Sequence, residues 1–513
     1  MKKILERLLF SKRAVAFFTA FSAVAVLLFY SVRYGFVFVD NVLYTGFSLG
    51  LFVFACIGSA CLFMIFVAKA HKKIILSETL MHVIAFISEA LAVIVFIYSA
   101  VTLITDNGMS LSSAFALFKS AFPIWAFVVG IAFFAFAFSL LKSKKTRRAV
   151  SGITALALFI TAVYAVFPFS PFEFTSAPVV FDNGSAYSVV FSTSEKGTAY
   201  IEYEYGGETV RVYDENDGRK NNDKIHTVTV PKDELSGNTY KVGATRVIDE
   251  LSYGGRLGKT IESESITFHN TFGENIDVLT VSDWHTKNEK AKTAAEALGE
   301  YQAVILLGDC APALMSENDI TDYILDFAAD LTGGAMPVIY VRGNHETRGR
   351  SAADLADHLG YDHFYYTTSL GEYAFVVLDS CEDKEDSHPE YGGMVDYENY
   401  RRSMVEWLET VESTEENTVA LCHSAEICIE PELSQRALSK LNALDVSLLA
   451  AGHEHVLDFD GSGDYPVFVD GGVDAVGKGS YVASIMHLSP DGIELQSADT
   501  NGEILLSESI EWR

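Results

Sequence analysis

The sequence predicts a multidomain fold: an α-helical transmembrane bundle, then a small antiparallel β-sandwich, then a layered α/β domain with mixed sheets. Three observations carry this. Charge and hydropathy change together near residue 168 of the 513-residue chain. Short alternating strands separated by Gly, Asn and Asp turns fill about 171–271. From about 274 to 513, apolar strands alternate with helical stretches. Two or three domains are expected at this length.

The first element rests on apolar runs at about 14–32, 42–68, 83–104, 121–141 and 149–167. Each is near or above the roughly 18–20 residues a helix needs to cross a bilayer. Residues 1–167 hold 15 Lys/Arg and 5 Asp/Glu, a net of +10, against 23 and 62 in the remainder, a net of −39. The first run is long, no small-x-small site follows it and four more runs come after, so it reads as a span and not as a cleaved signal. Basic residues cluster before the first run, after the second and between the fourth and fifth, while the alternate loops hold only Arg33 and Lys119. The positive-inside rule then places the N-terminus in the cytoplasm and everything after Phe167 outside, as a multi-pass cell-membrane protein with the bilayer as one partner. Glu89 falls inside the third run and reads as a bundle-interface glutamate or as a functional residue of the bundle. The acidic remainder would repel a phosphate backbone, which excludes nucleic acid as a partner. Six scattered cysteines form no disulfide framework and read as buried thiols, with a single bridge such as Cys422 to Cys428 as the alternative.

The second element, 171–271, shows "YSVVFSTS", "TAYIEYEY" and "IHTVTVP", the alternation of a half-buried sheet. Its lone histidines, His226 and His269, read as structural. The third element, 274–513, has strands "IDVLTVSDWH", "AVILLGDC", "PVIYVRGNHE", "TVALCHS" and "VSLLAAGHEH". Each apolar run ends in polar residues, and ligands of layered α/β folds bind where strands end.

Those ends carry Asp283 and His285, Asp309, Asn344 with His345 and Glu346, His423, and His453 with His455. Residues two apart at a strand end lean to one side, so Asp283 and His285 can share one metal, as can His453 and His455. Imidazole nitrogens with carboxylates suit Zn, Fe or Mn. Seven potential ligands exceed one tetrahedral ion but fit two divalent ions sharing a bridging carboxylate, with Asp309 the natural bridge after Gly308. Such a pair dominates the local field and attracts phosphate inside an acidic domain. Two-metal sites activate water and stabilise in-line phosphoester cleavage. Arg342, Arg348 and Arg350 read as a solvated loop or as contacts to phosphate oxygens.

The ordered set "SDWH", "GD", "GNHE", an isolated His after a strand, and "GHEH" resembles the calcineurin-like metallophosphoesterases, over about 276–510. The preceding strands resemble the fibronectin-like N-terminal domain of purple acid phosphatases. The resemblance implies one metal held by Asp283, His285, Asp309 and His455, and another held by Asp309, Asn344, His423 and His453. It places His345 beside the leaving group, oriented by Glu346 or another carboxylate. Pro312 stands where purple acid phosphatases have a tyrosine. The implied function is a membrane-anchored, outward-facing phosphoesterase that hydrolyses a phosphorylated small-molecule or lipid substrate by a metal-activated hydroxide. A phosphodiesterase or lipid pyrophosphatase is the alternative among enzymes. A membrane receptor or assembly protein with a non-catalytic phosphoesterase-like domain is the alternative of another class.

Overall fold

The computed structural model describes residues 171–250, 254–412 and 417–513. The five expected spans and Glu89 lie outside the described residues. Among the described residues no helix is long and apolar enough to cross a membrane. The expected fold class is corrected accordingly. What is described is mostly β-sheet with a layered α/β domain, and no α-helical transmembrane bundle is part of it.

In chain order the strands that matter are β1 (Val179–Asp182), β2 (Ala186–Tyr205), β3 (Asp223–Pro231), β4 (Thr239–Glu250) and β5 (Ile276–Val281). Helix α1 (Asn288–Glu296), β6 (Ala303–Leu306), α2 (Asp326–Thr332) and β7 (Pro337–Tyr340) follow. A second series runs β8 (Tyr366–Leu370), β9 (Tyr373–Val377), α3 (Tyr397–Thr410), β10 (Asn417–Leu421), α4 (Pro431–Ala443), β11 (Val446–Ala451) and β12 (Val467–Val469). The chain closes with β13 (Tyr481–Ser489), β14 (Gly492–Asp499) and β15 (Ile504–Ile510).

Two sheets result. In the 14-stranded sheet the central order is β15-β14-β13-β5-β6-β7-β1-β2, with β5, β6, β7 and β1 parallel and the flanks antiparallel. In the 6-stranded sheet, β9 to β12 are parallel and β8 is antiparallel to β9. Parallel strands covered on both faces need apolar side chains throughout, and all residues of β6, β7 and β11 are buried. Alternation sorts the second sheet's two faces. Phe375, Val377, Val419, Leu421, Leu448 and Ala450 join the core shared with the first sheet. Their neighbours Val376, Ala420 and Leu449 face α3 and α4 through Met404, Leu408, Leu433 and Leu441.

A second correction concerns the separate antiparallel sandwich. Val180 and Phe181 of β1 pair in parallel with Pro337 and Val338 of β7. The antiparallel strands therefore extend the α/β sheet sideways. The physical reason is an edge: β7 would otherwise expose a row of unpaired backbone groups, and the fully buried Val-Val-Phe-Asp of β1 covers it. The 20-residue β2 then carries the chain outward, pairing with β3 in its first half and β4 in its second, over a core that includes Phe191, Ile201, Tyr203, Val242 and Phe268. His226 is buried there against Thr193, with its Nε2 2.9 Å from Oγ1. Cys310, Cys381, Cys422 and Cys428 are free and buried.

Candidate metal centre

The C-terminal ends of β5, β6 and β7 from one sheet and of β10 and β11 from the other meet at one rim, and every candidate ligand sits in the turn after one of them. The turns are sharp. Asp283 (φ 49°), His285 (φ 38°), Asp309 (φ 60°), His453 (φ 74°) and His455 (φ 52°) all occupy the left-handed region, where a non-glycine residue is uncommon. Such strain clusters where the surroundings hold it in place. Two glycines let the turns interlock. A Cβ on Gly308 would meet Gly343 N at 2.4 Å, and one on Gly343 would meet Asp309 Oδ1 at 2.3 Å.

The brace is Glu346. Its buried carboxylate accepts the backbone N–H of Asp309 (2.8 Å), Cys310 (2.6 Å) and Gly343 (2.7 Å), tying the β6 turn to the β7 turn. Of the two carboxylate settings expected for His345, Glu346 is not the one found, and the His345 backbone N–H donates to Asp309 Oδ1 at 2.9 Å. His345 Nδ1 meets the Pro312 carbonyl at 2.9 Å, and Arg348 Nη1 lies 3.0 Å from His345 Nε2.

The ligand atoms of Asp283, His285 and His455 lie within 4.8 Å of one another, and so do those of Asp309, His423 and His453. A third such group joins His285, Asp309 and His345. Asp309 belongs to two of these groups and reaches the first through His285. Its Oδ2 is 3.6 Å from His285 Nε2, and its Oδ1 is 3.3 Å from His423 Nε2. His423 Nδ1 donates to the Leu307 carbonyl (2.6 Å) and His455 Nδ1 to the Val473 carbonyl (3.0 Å), so each presents Nε2 inward. Asp283 Oδ2 accepts the His453 N–H at 2.9 Å, whereas its Oδ1 is buried without a hydrogen-bond partner, 3.7 Å from His455 Nε2.

This donor set fits cations. Asn344 Oδ1 lies 3.2 Å from both His423 Nε2 and His453 Nδ1. Turned about, its amide would donate to those nitrogens and to the Asp309 carboxylate, and its carbonyl would accept from Arg348 Nη2 at 2.8 Å. Protons alone favour the turned setting. A cation shared by the lone pairs of Asp309, His423 and His453 favours the inward carbonyl. The titration pattern agrees. Burial raises the Asp283 carboxyl to about 6, with Asp309 pushing the same way, and lowers His285 to about 4. Burial also works against a charged His423, but the Asp309 and Asp283 carboxylates overcome it and raise that imidazole to about 10. A proton is thus held among ligands that a divalent ion would bind in its place.

The structure thus brings together Asp283, His285, Asp309, Asn344, His423, His453 and His455, with His345 at the edge. The structure separates the three arginines. Arg342 is largely buried, its Nη2 2.7 Å from Asp379 Oδ2, with its guanidinium 5.0 Å from the Phe364 ring and 5.2 Å from that of Tyr400. Arg348 is paired with buried Glu382. Arg350 is exposed. Sequence reasoning missed Glu382. The signal was there, since the acidic "LDSCED" follows the apolar β9 at the same sheet edge.

Residues 276–457 match the calcineurin-like phosphoesterase family, and this part of the chain is a calcineurin-like phosphoesterase domain. No curated protein matches the sequence. Among solved structures the chain is similar to the purple acid phosphatase PPD1 of yellow lupin (Lupinus luteus) seeds, at 13% identity and a TM-score of 0.45, over 66% of this chain and 74% of that one. It is also similar to PhoD, at 12% identity and a TM-score of 0.39, over 67% and 94%. A third likeness is to GAP50, the anchor in the inner membrane complex of Plasmodium, at 13% identity and a TM-score of 0.32, over 47% and 90%.

Proposed function

We propose that this chain is a metal-dependent phosphoester hydrolase acting on phosphorylated small molecules, with two divalent cations, of Mn, Fe or Zn character, at the rim described above. The observation that carries the reading is Asp309, whose two carboxylate oxygens face two different Asp/His groups. In this reading Asp283, His285 and His455 would hold one cation, Asn344, His423 and His453 would hold the other, and Asp309 would serve both. When bound, such a pair supplies an activated water and the positive charge that in-line displacement at phosphorus needs. The remaining work falls to the chain itself. The Leu307 and Val473 carbonyls fix the ring orientation of His423 and His455. Glu346 holds the two turns in register. His345, anchored through Nδ1 on the Pro312 carbonyl, presents Nε2 at the open edge, 3.8 Å from Asp309 Oδ2. From there it hands a proton to the departing oxygen.

The test is Asp309→Ala in the full-length protein. Metal analysis should show loss at both positions, and metal-dependent hydrolysis of phosphate esters should fall by more than about 10³-fold, since removal of a bridging ligand exceeds the roughly 10–100-fold effect of an outer partner. Full occupancy of two ions in the variant would refute the bridge. A wild-type protein that binds metal but turns over no phosphate ester would instead favour a non-catalytic role.

A further inference from the structure

We propose that Arg348 determines the substrate class of this site: its guanidinium takes a non-ester oxygen of the phosphoryl group and so favours phosphate monoesters over diesters. The inference rests on the phosphoesterase reading. It starts from an arginine with two differently occupied edges. The inner edge is fixed, with Nε 2.6 Å from Glu382 Oε1 and Nη2 2.8 Å from Glu382 Oε2. Glu382 is itself 3% exposed, and Thr347 Oγ1 donates to it at 3.2 Å. A bidentate carboxylate on a buried stem sets both the position and the plane of the guanidinium.

The outer edge is different. Nη1 lies against the ring of His345, 3.0 Å from Nε2 and 3.3 Å from Nδ1, and the Arg348 side chain is 35% exposed. His345 Nδ1 faces the Pro312 carbonyl, so it carries a proton there, and Nη1 stands over the ring face beside Nε2. An arginine donor therefore rests against the atom that would face the leaving group, at the open side of the centre. An anionic oxygen is a better acceptor than an imidazole ring, so an arriving phosphoryl group would take Nη1 from His345, and Nε2 would then take up from solvent the proton that it passes to the departing oxygen. With its carbonyl inward, the Asn344 NH₂ donates at 3.4 Å to Glu382 Oε2, the same carboxylate that holds Arg348.

Charge then sets the preference. A monoester dianion has three non-ester oxygens and leaves one for Arg348 after the others are engaged. A diester has two and carries a second organic group where the third oxygen would be. Arg342 and Arg350 do not share this role, because the first is committed to Asp379 and the second lies out in solvent.

The experiment uses the full-length protein loaded with the metal that gives the most activity. It compares wild type, Arg348→Ala and Arg348→Lys on nitrophenyl phosphate and bis-nitrophenyl phosphate, with metal content and inorganic phosphate binding measured by calorimetry. Arg348→Ala should lower monoester kcat/KM roughly 10–100-fold and phosphate affinity by a similar factor, the effect of one hydrogen bond to a charged group. The diester should change by less than about 3-fold at constant metal content, and Arg348→Lys, which keeps the charge without the fork, should fall between. Equal losses on both esters, or unchanged phosphate affinity in Arg348→Ala, would overturn the proposal and leave Arg348 as a loop brace. A wild type that cleaves only diesters would overturn it too. If wild type cleaves neither ester, the phosphoesterase reading fails, and the phosphate titration still judges Arg348.

Discussion

Replacing Glu346 by glutamine tests the centre's scaffold without touching a proposed ligand. The side chain keeps its shape and loses one acceptor. Oε2 accepts two N–H groups, from Asp309 and Gly343, and Oε1 accepts one, from Cys310. The glutamine carbonyl retains most by taking the Oε2 place, which sets its NH₂ against the Cys310 N–H. One hydrogen bond to a charged acceptor is then lost, about 1.5–3 kcal/mol, and one buried donor is left unpaired, about 1–3 kcal/mol. Glu346→Gln should therefore destabilise the protein by about 2.5–6 kcal/mol, a fall in Tm of roughly 4–8 °C for a unit of this size. Scanning calorimetry in the presence of chelator measures this with no metal in play. In a separate titration, metal affinity should fall by about 10–100-fold, because the turns bearing Asp309 and Asn344 lose their tie. A Tm within about 1 °C of wild type together with unchanged metal affinity would refute the account, since three backbone donors cannot all be satisfied by an amide that offers one oxygen.

Three further outcomes are expected. His345→Ala should slow alkyl phosphate esters by about 10²-fold or more and nitrophenyl esters by less than about 10-fold, because a good leaving group needs little protonation; equal losses with metals retained would remove the proton-donor role. Asp326→Asn concerns stability against pH. Burial, then Asp322 and Asp330, raise the Asp326 carboxyl to about 6. A folded value above the unfolded one, about 3.9, means the ionised group disfavours folding above pH 6, and the penalty fades as pH falls from about 6 to about 4. The variant should thus have a higher Tm than wild type near about pH 7.5 and the same Tm near about pH 3.5, and a gain that persists in acid would contradict the assignment. Gly308→Ala should destabilise the protein by more than about 2 kcal/mol and lower metal affinity, since φ is +89° and the added carbon would meet the Gly343 nitrogen; a thermal scan showing wild-type stability would count against the interlocked turns.

How legible this was in the sequence follows from the range of each interaction. The candidate ligands were readable because a parallel strand buried on both faces is an unbroken apolar run, and the polar residues that interrupt it mark its end. β6 and β7 show this plainly, with Gly-Asp and Gly-Asn-His-Glu within a few residues of the last buried side chain. The merging of the antiparallel strands into the same sheet was not readable. Val-Val-Phe-Asp alternates no differently whether it edges a sandwich or pairs with β7, and the partner lies far along the chain. Periodicity records which face of a strand is buried, not which strand lies beside it.

The same limit explains the arginines. Arg342, Arg348 and Arg350 sit within nine residues of one another in a single polar loop, and nothing in their spacing separates them. What separates them comes from elsewhere in the chain. Asp379, at the end of β9, claims Arg342 between two aromatic rings, and Glu382, three residues on, claims one edge of Arg348. The acidic run after β9 thus divides one basic loop into a structural arginine and one whose second edge stays open beside His345. A chain with Asp379 intact and Glu382 replaced by glutamine would keep the first role and weaken the second. That asymmetry makes the loop's chemistry a property of two strand ends together and not of the "GNHETR" stretch alone.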